Sequence, residues 1–155
     1  MKIILYTNGI HGFDIIDDGE AIEKSEFEDM GHCFCEGNRK YNPIYKFRSL
    51  GYRGEVVETL AFYTDFLVVT KDKNKEFGTK ITWKAGNRNI DTLDEQFKIP
   101  ANGTYVQVRE IYSKPRFQYE QRLYRRELDQ QAKELLFVLR EYSYCFPNVC
   151  LEVIN

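Results

Sequence analysis

Two glycines bracket an aromatic–arginine pair just before a run that contains few helix breakers. The segment Gly51–Glu55 reads Gly-Tyr-Arg-Gly-Glu and leads into Val56–Phe62, so we expect a helix to begin near Gly54. The first N–H groups of a helix are unpaired and carry partial positive charge, which suits a phosphate. Glycine also lets the backbone come close to an oxygen-rich ligand. The segment therefore predicts either a phosphate loop or an ordinary Gly-x-x-Gly turn.

A second feature is an alternating run that ends in acidic residues and a glycine. Phe13 and Ile15 alternate with polar residues as in a half-buried strand, which ends at Asp17, Asp18 and Gly19. A carboxylate at a strand end can accept a hydrogen bond from an exocyclic amine such as adenine N6. Because Asp-Gly pairs are also ordinary turn formers, these residues alone leave both interpretations open.

Taken in order, three blocks of the chain resemble the motifs of the GHKL (Bergerat-fold) ATPases. The blocks are Asp17-x-Gly19, the segment Gly51–Glu55, and Gly103-Thr104 within the run Gly-Thr-Tyr-Val-Gln-Val. The second block looks like the Gly-Phe-Arg-Gly-Glu-Ala-Leu hallmark of the MutL DNA mismatch-repair family. The later segments follow the order of eukaryotic homologues of the PMS type, so the resemblance covers nearly the whole chain.

The resemblance implies an ATP-binding domain in which the aspartate reads adenine, the Gly-aromatic-Arg-Gly loop wraps the phosphates and the Gly-Thr pair supports the adenine pocket. It also implies Mg²⁺, a MutL-family heterodimer partner, weak non-specific DNA contact through the repair complex, no membrane and a nuclear location. The residues that it assigns to ATP binding are Asp17, Gly19, Ile22, Gly51, Tyr52, Arg53, Gly54, Glu55 and Thr104.

One element of the family has no counterpart in this sequence. In the family, a helix before the first strand carries a water-activating glutamate and a magnesium-binding asparagine, whereas here Met1 runs directly into Lys2–Tyr6, which reads as that first strand. Hydrolysis needs a base close to the water, and Mg²⁺ needs protein oxygens besides the phosphates. We therefore assign no catalytic residue and no metal ligand, and leave open whether the chain is an enzyme. The alternative is a truncated, catalytically inactive interaction module.

Two smaller departures concern the expected nucleotide pocket. Ala21 stands where the family has its second glycine, and Cys35–Gly37 stands roughly where the family has Thr-Ser-Lys. Glu36 would repel phosphates. The polar segment from Gly31 to Tyr45 reads equally well as a nucleotide lid and as a surface loop.

Composition indicates one globular domain, residues 1–155, with 43% hydrophobic and 15% aromatic residues. A net charge of −2 gives no basic signature of nucleic-acid binding, and no run of apolar residues is long enough to span a membrane. His32, Cys33 and Cys35 are compactly spaced, but Cys145 and Cys150 are distant and no C-x-x-C pair occurs. Reduced, partly buried thiols are the alternative to a metal site.

The fold class that we predict is α+β, a two-layer sandwich with a mixed, mostly antiparallel sheet. A capping box at Ser25 and Glu28 predicts a short helix. A helix over about 118–144 is predicted to face the core through Tyr124, Leu128, Gln131, Leu135, Leu139 and Tyr142. Its charged face is either solvated or in contact with DNA phosphates. Without the first helix, we expect an exposed apolar patch at Ile3, Leu5, Phe13 and Ile15. The predicted strands are Lys2–Tyr6, Gly12–Asp17, Thr64–Thr70, Glu76–Lys84, Arg88–Lys98, Thr104–Ile111 and Val149–Val153.

Overall fold

A computed structural model describes residues 1–9, 11–32, 54–84, 86–93, 102–111 and 128–155. Its strands are β1 (Lys2–Tyr6), β2 (Gly12–Asp17), β3 (Asp65–Lys71), β4 (Thr79–Lys84), β5 (Asn87–Thr92), β6 (Gly103–Arg109) and β7 (Glu152–Ile154). Its helices are a 3-10 turn (Lys24–Glu26), α1 (Glu55–Tyr63) and α2 (Leu128–Cys145).

The seven strands form a single sheet in the order β5-β4-β3-β6-β2-β1-β7. The pair β1–β7 is parallel, and the other five pairs are antiparallel. Helix α1 lies against strands β3 and β4. The predicted α+β fold with a mixed, mostly antiparallel sheet is therefore confirmed.

The main hydrophobic core lies between α1 and the sheet. Alternate residues of a strand point to one face, and the apolar residues of neighbouring strands meet on the face that α1 covers. The buried members of this cluster are Phe27, Ala61, Phe66, Val68, Ile81, Trp83 and Val108. We call this side of the sheet the α1 face.

Two local predictions are wrong. The capping box lies at Glu23 and Glu26, where the Glu23 N–H donates to a Glu26 carboxylate oxygen at 3.3 Å, and not at Ser25 and Glu28. The predicted exposed patch is also wrong, because Ile3 and Leu5 are both buried. Strand β1 is an inner strand between β2 and β7, and Ile3 and Leu5 lie directly beside Ile15 and Phe13 of β2, which are half-buried.

Helix α2 is less buried than the sequence pattern predicts. Leu139 is half-buried, but Leu135 and Tyr142 are exposed, because α2 makes only sparse contacts with the described strands. The predicted core-facing stripe is therefore wrong at these two positions. The part of the predicted helix that precedes Leu128, including Tyr124, lies outside the described residues, and so do the side chains of Leu128 and Gln131.

The opposite face of the sheet carries a polar cluster across β1, β2 and β6. Asp14 is only 4% exposed, accepts a hydrogen bond from the Tyr6 hydroxyl at 2.8 Å, and forms an ion pair with Arg109 at 2.6 Å. The Arg109 guanidinium carbon lies 4.1 Å from the centre of the Tyr6 ring. Burial, followed by the negative charge of Asp14, raises the pKa of Tyr105 from 10.0 to about 12.

We expect Arg109→Ala to lower the free energy of unfolding by about 2–3 kcal/mol, because it leaves the buried Asp14 carboxylate without its cation. Chemical denaturation measures this loss. The matched control is Lys2→Ala, whose partner Glu152 lies 3.7 Å away in an exposed pair. The control substitution should lower the free energy of unfolding by less than about 1 kcal/mol. Equal losses in the two variants would contradict a special role for the buried pair.

We also expect a pH dependence that arises from Tyr105. Because its pKa is higher in the folded than in the unfolded chain, its contribution to stability is complete below pH 10.0 and is lost as the pH rises towards about 12. Between about pH 9 and 11, the free energy of unfolding of the wild type should therefore fall relative to that of Tyr105→Phe as the pH rises. Parallel curves would contradict the assignment.

Candidate functional site

A row of polar side chains crosses the α1 face at one end of the strands. Asp17 pairs with Thr104, and Thr104 in turn pairs with Thr70. The same register continues from Thr70 to Thr79 and from Thr79 to Thr92. Asp17, Thr104, Thr70 and Thr79 each lie an even number of positions from a residue of the hydrophobic cluster on the same strand, and Thr92 pairs directly with Thr79, so all five lie on the α1 face. We call Asp17, Thr104, Thr70, Thr79 and Thr92 the polar row.

The hydroxyl of Thr70 connects three parts of the chain. It accepts the Ile22 N–H at 2.9 Å, and it lies 3.4 Å from both the Gly103 carbonyl oxygen and the Thr104 hydroxyl. Thr70 and Thr104 are both buried. Buried hydroxyls need hydrogen-bond partners, and here the protein supplies them. The buried hydroxyls of Thr70 and Thr104 therefore connect β3, β6 and the segment that contains Ile22.

Asp17 differs because it is half-exposed and only partly engaged. Its Oδ1 accepts the Gly19 N–H at 2.9 Å, which is the geometry of an Asx turn. No described residue donates a hydrogen bond to its Oδ2. One carboxylate oxygen is thus fixed by the chain, and the other is an acceptor that a ligand can use.

Gly103 is the point where β2 and β6 approach most tightly beside the row. Its φ is +125°, and a Cβ placed on it would lie 2.0 Å from the Asp17 carbonyl oxygen. Any side chain at this position would push β6 away from β2, and would therefore separate Thr104 from Asp17. The glycine of the Gly-Thr pair is a steric requirement of the site.

Asn102 fastens the loop that follows Asp17. Its Nδ2 donates to the Gly19 carbonyl oxygen at 2.6 Å, and its Oδ1 accepts the Lys73 N–H at 3.1 Å. The sequence predictions missed Asn102 and Thr70. A hydroxyl at the end of the apolar run Phe-Leu-Val-Val was the available signal for Thr70, whereas Asn102 gave no signal because its partners are distant in sequence.

The structure brings together four of the nine predicted site residues, Asp17, Gly19, Ile22 and Thr104. Gly54 precedes α1 with a φ of +70°, a conformation that favours glycine, and Glu55 is the first residue of the helix. Among the described residues, no hydrogen bond or ion pair joins Gly54 or Glu55 to the polar row. Gly51, Tyr52 and Arg53 lie outside the described residues.

The cysteines of the metal hypothesis are only partly described. Cys33 and Cys35 lie outside the described residues, while Cys145 and Cys150 are free and exposed. The prediction of partly buried thiols is therefore wrong for these two. Within the described ranges, no three His, Cys, Asp or Glu side chains are grouped so that they could hold a metal ion. The described helices include none that is long and apolar enough to span a membrane.

No protein-family model matches the sequence. The MutL DNA mismatch-repair protein of Lactococcus lactis is 25% identical over 158 residues, which is 99% of this chain and 23% of the relative. MutL of Streptococcus mutans is 23% identical over 157 residues, which is 100% of this chain and 23% of the relative. The chain therefore spans about a quarter of the length of these curated relatives.

Solved structures of three proteins share the fold. The N-terminal domain of a DNA repair protein matches with a TM-score of 0.73 at 19% identity, over 98% of this chain and 41% of that one. The Aquifex aeolicus MutL ATPase domain complexed with ADP matches with a TM-score of 0.67 at 15% identity, over 99% of this chain and 50% of that one. The ATPase region of Saccharomyces cerevisiae topoisomerase II matches with a TM-score of 0.53 at 17% identity, over 75% of this chain and 32% of that one.

These matches define the fold as that of the GHKL ATPases, because MutL and topoisomerase II ATPase structures both share it. The sequence is similar to MutL proteins over the whole length of this chain. The predicted resemblance to MutL is confirmed at this level.

We expect Gly103→Ala to cost about 2–3 kcal/mol of unfolding free energy, because the new methyl group meets the Asp17 carbonyl oxygen. Gly9→Ala is the matched control. Gly9 also has a positive φ, but no neighbouring heavy atom would lie within 4 Å of a Cβ placed on it. Backbone strain alone should lower the free energy of unfolding of the control variant by about 1–2 kcal/mol. Urea denaturation of both variants tests the steric requirement, and a smaller loss for Gly103→Ala than for Gly9→Ala would contradict it.

Proposed function

We propose that this chain is the ATP-binding module of a MutL-like DNA mismatch-repair protein, and that it acts within a heterodimeric repair complex. The observation that carries the proposal is the Asp17 carboxylate. It stands at the exposed end of the polar row, with one oxygen held by Gly19 and the other available to a ligand. ADP is bound in a solved MutL ATPase domain of the same fold.

The chemistry of Asp17 favours adenine over guanine. The exocyclic N6 amine of adenine donates hydrogen bonds, and the open carboxylate oxygen only accepts them. Guanine presents a carbonyl oxygen at the equivalent ring position, so two acceptors would face each other. A polar site of this kind discriminates strongly, because the wrong base leaves its groups unpaired.

The phosphates are assigned to the start of α1 on the same face of the sheet. Gly54 and the first N–H groups of α1 offer donors to an anion, while Glu55 and Glu58 in the first turn limit the attraction. Mg²⁺ is proposed to accompany the bound nucleotide, held through its phosphate oxygens and water.

The finer parts of the proposal follow from the resemblance described above. We propose a repair protein of the eukaryotic PMS type, located in the nucleus, of which residues 1–155 form part of one ATPase domain. A MutL-family subunit is the proposed heterodimer partner. DNA contact is proposed to be weak, non-specific and made through the repair complex, since a net charge of −2 provides no basic surface for tight binding.

A second candidate is an interaction module that keeps the fold without nucleotide turnover. It is favoured by the apolar side chains that α2 exposes, of which Leu136 is 49% and Phe137 is 63% exposed. Adjacent exposed apolar side chains of this size are typical of surfaces that bind other proteins.

Calorimetric titration of the chain with ADP and ATP, with and without Mg²⁺, tests the proposal. We expect binding of adenine nucleotides and much weaker binding of GDP. Asp17→Asn should weaken ADP binding about tenfold, because the open acceptor becomes an amide donor and a charge-assisted hydrogen bond is lost. Asp18→Asn is the matched control at the neighbouring exposed carboxylate and should leave the affinity unchanged.

The outcomes separate the two candidates. No binding of ADP or ATP at millimolar concentration would remove the first candidate and leave the interaction module. Binding that Asp17→Asn and Asp18→Asn weaken equally would retain a nucleotide site but contradict the role of Asp17. Release of phosphate from bound ATP, measured in the same samples, decides whether the chain is an enzyme.

A further inference from the structure

The chain that leaves β2 after Asp17 crosses the α1 face of the sheet towards the opposite edge. We call residues 18–31 the crossing segment. Near its start, the Gly19 carbonyl oxygen accepts a hydrogen bond from Asn102, and the Ile22 N–H donates to Thr70 on β3. Further on, Phe27 is buried in the same cluster as Phe66 of β3 and Trp83 of β4. In the strand order these contacts run from the start of β6 to β3 and then to β4, and so towards the edge strand β5.

The far end of the crossing segment is held by one arginine on the edge strand β5. The Arg88 Nη1 donates to the carbonyl oxygens of Phe27, Glu28 at 2.8 Å and Met30 at 3.4 Å. Carbonyl oxygens that converge in this way concentrate negative partial charge, and a guanidinium satisfies them without a counter-ion. Because β4 and β5 pair Trp83 with Arg88, the cation sits beside the buried cluster.

A second contact fixes the same end of the segment. Gly31 has a φ of +86°, and a Cβ placed on it would lie 2.8 Å from the Trp83 Nε1 atom. The backbone therefore lies directly on the indole ring. Trp83 is the single tryptophan of the chain, so its fluorescence reports on this contact.

We propose that Arg88 is a positioning residue for the nucleotide site, an inference that rests on the proposed function. Arg88 does not touch the Asp17 carboxylate. It fixes the far end of a segment whose near end contains Gly19 and Ile22, the two residues that hold the Asp17 side chain and the Thr70 hydroxyl. A segment released at one end must be ordered again when ligand binds, and that cost appears as lost affinity.

Three variants separate positioning from general stability. Arg88→Ala removes all three donated hydrogen bonds. Arg88→Lys keeps a cation that can reach the same carbonyl oxygens. Arg140→Ala is the matched control, because it removes an exposed arginine of α2 whose Nε donates to the Tyr144 hydroxyl at 3.1 Å. ADP affinity, amide hydrogen exchange and Trp83 emission are measured on each variant of the full chain.

We expect Arg88→Ala to weaken ADP binding about fivefold, which corresponds to about one hydrogen bond. Amides of residues 18–31 should exchange faster, while those of β3 exchange at the wild-type rate, and the Trp83 emission should shift to longer wavelength. Arg88→Lys should restore the affinity to within about twofold, and Arg140→Ala should match the wild type in every measurement.

Each outcome bears on a different claim. A wild type that binds no ADP contradicts the proposed function, and this inference falls with it. If the wild type binds ADP and Arg88→Ala binds it within twofold, only the inference is contradicted. Where Arg88→Ala does not fold, Arg88→Gln carries the same comparison. Uniformly faster exchange in all strands, or loss of fold in both variants, shows a merely structural role and overturns the inference.

Discussion

The antiparallel pairing of β6 with both β2 and β3 is the constraint on which the rest of the site depends. It places Asp17, Thr104 and Thr70 side by side on one face. At the end of the strands that carries Asp17, the pairing is this tight because Gly103 lets β6 approach the Asp17 carbonyl oxygen without a side chain in between. Since side chains alternate strictly along a strand, a slip of β6 by one residue would turn Thr104 to the other face and break the row between Asp17 and Thr70.

Within the row, stability and binding are assigned to different residues. The buried hydroxyls of Thr70 and Thr104 have partners in the chain itself, so they stabilise the fold whether or not a ligand is present. Asp17 at the end of the row keeps an open oxygen in a half-exposed position, where water can solvate it at little cost. The site therefore does not need a buried, unsatisfied charge in order to be ready for a ligand.

The sequence predicts those parts of the structure that depend on local patterns. Alternation gave β1 and β2 with the observed bounds, and the Asp-x-Gly and Gly-Thr motifs located Asp17 and Thr104. The predictions from sequence failed where the structure depends on contacts between residues that are distant in the sequence. Asn102 and Arg88 each bond residues more than fifty positions away, and the burial of β1 depends on its place inside the sheet. The periodicity of charged and apolar residues correctly predicted the helix α2, but the described strands give that helix few residues to pack against.

The charge distribution is compatible with the proposal that an acidic chain holds a nucleotide at this site. Asp17, Asp18 and Glu20 are neighbours in the sequence at the end assigned to the base, which is neutral, so their negative charge costs little there. The start of α1 is acidic but presents backbone N–H groups, which bind an anion by direct hydrogen bonds and are not screened as exposed charges are. In the proposed site, the backbone N–H groups of α1 therefore matter more for phosphate binding than the net charge of the chain.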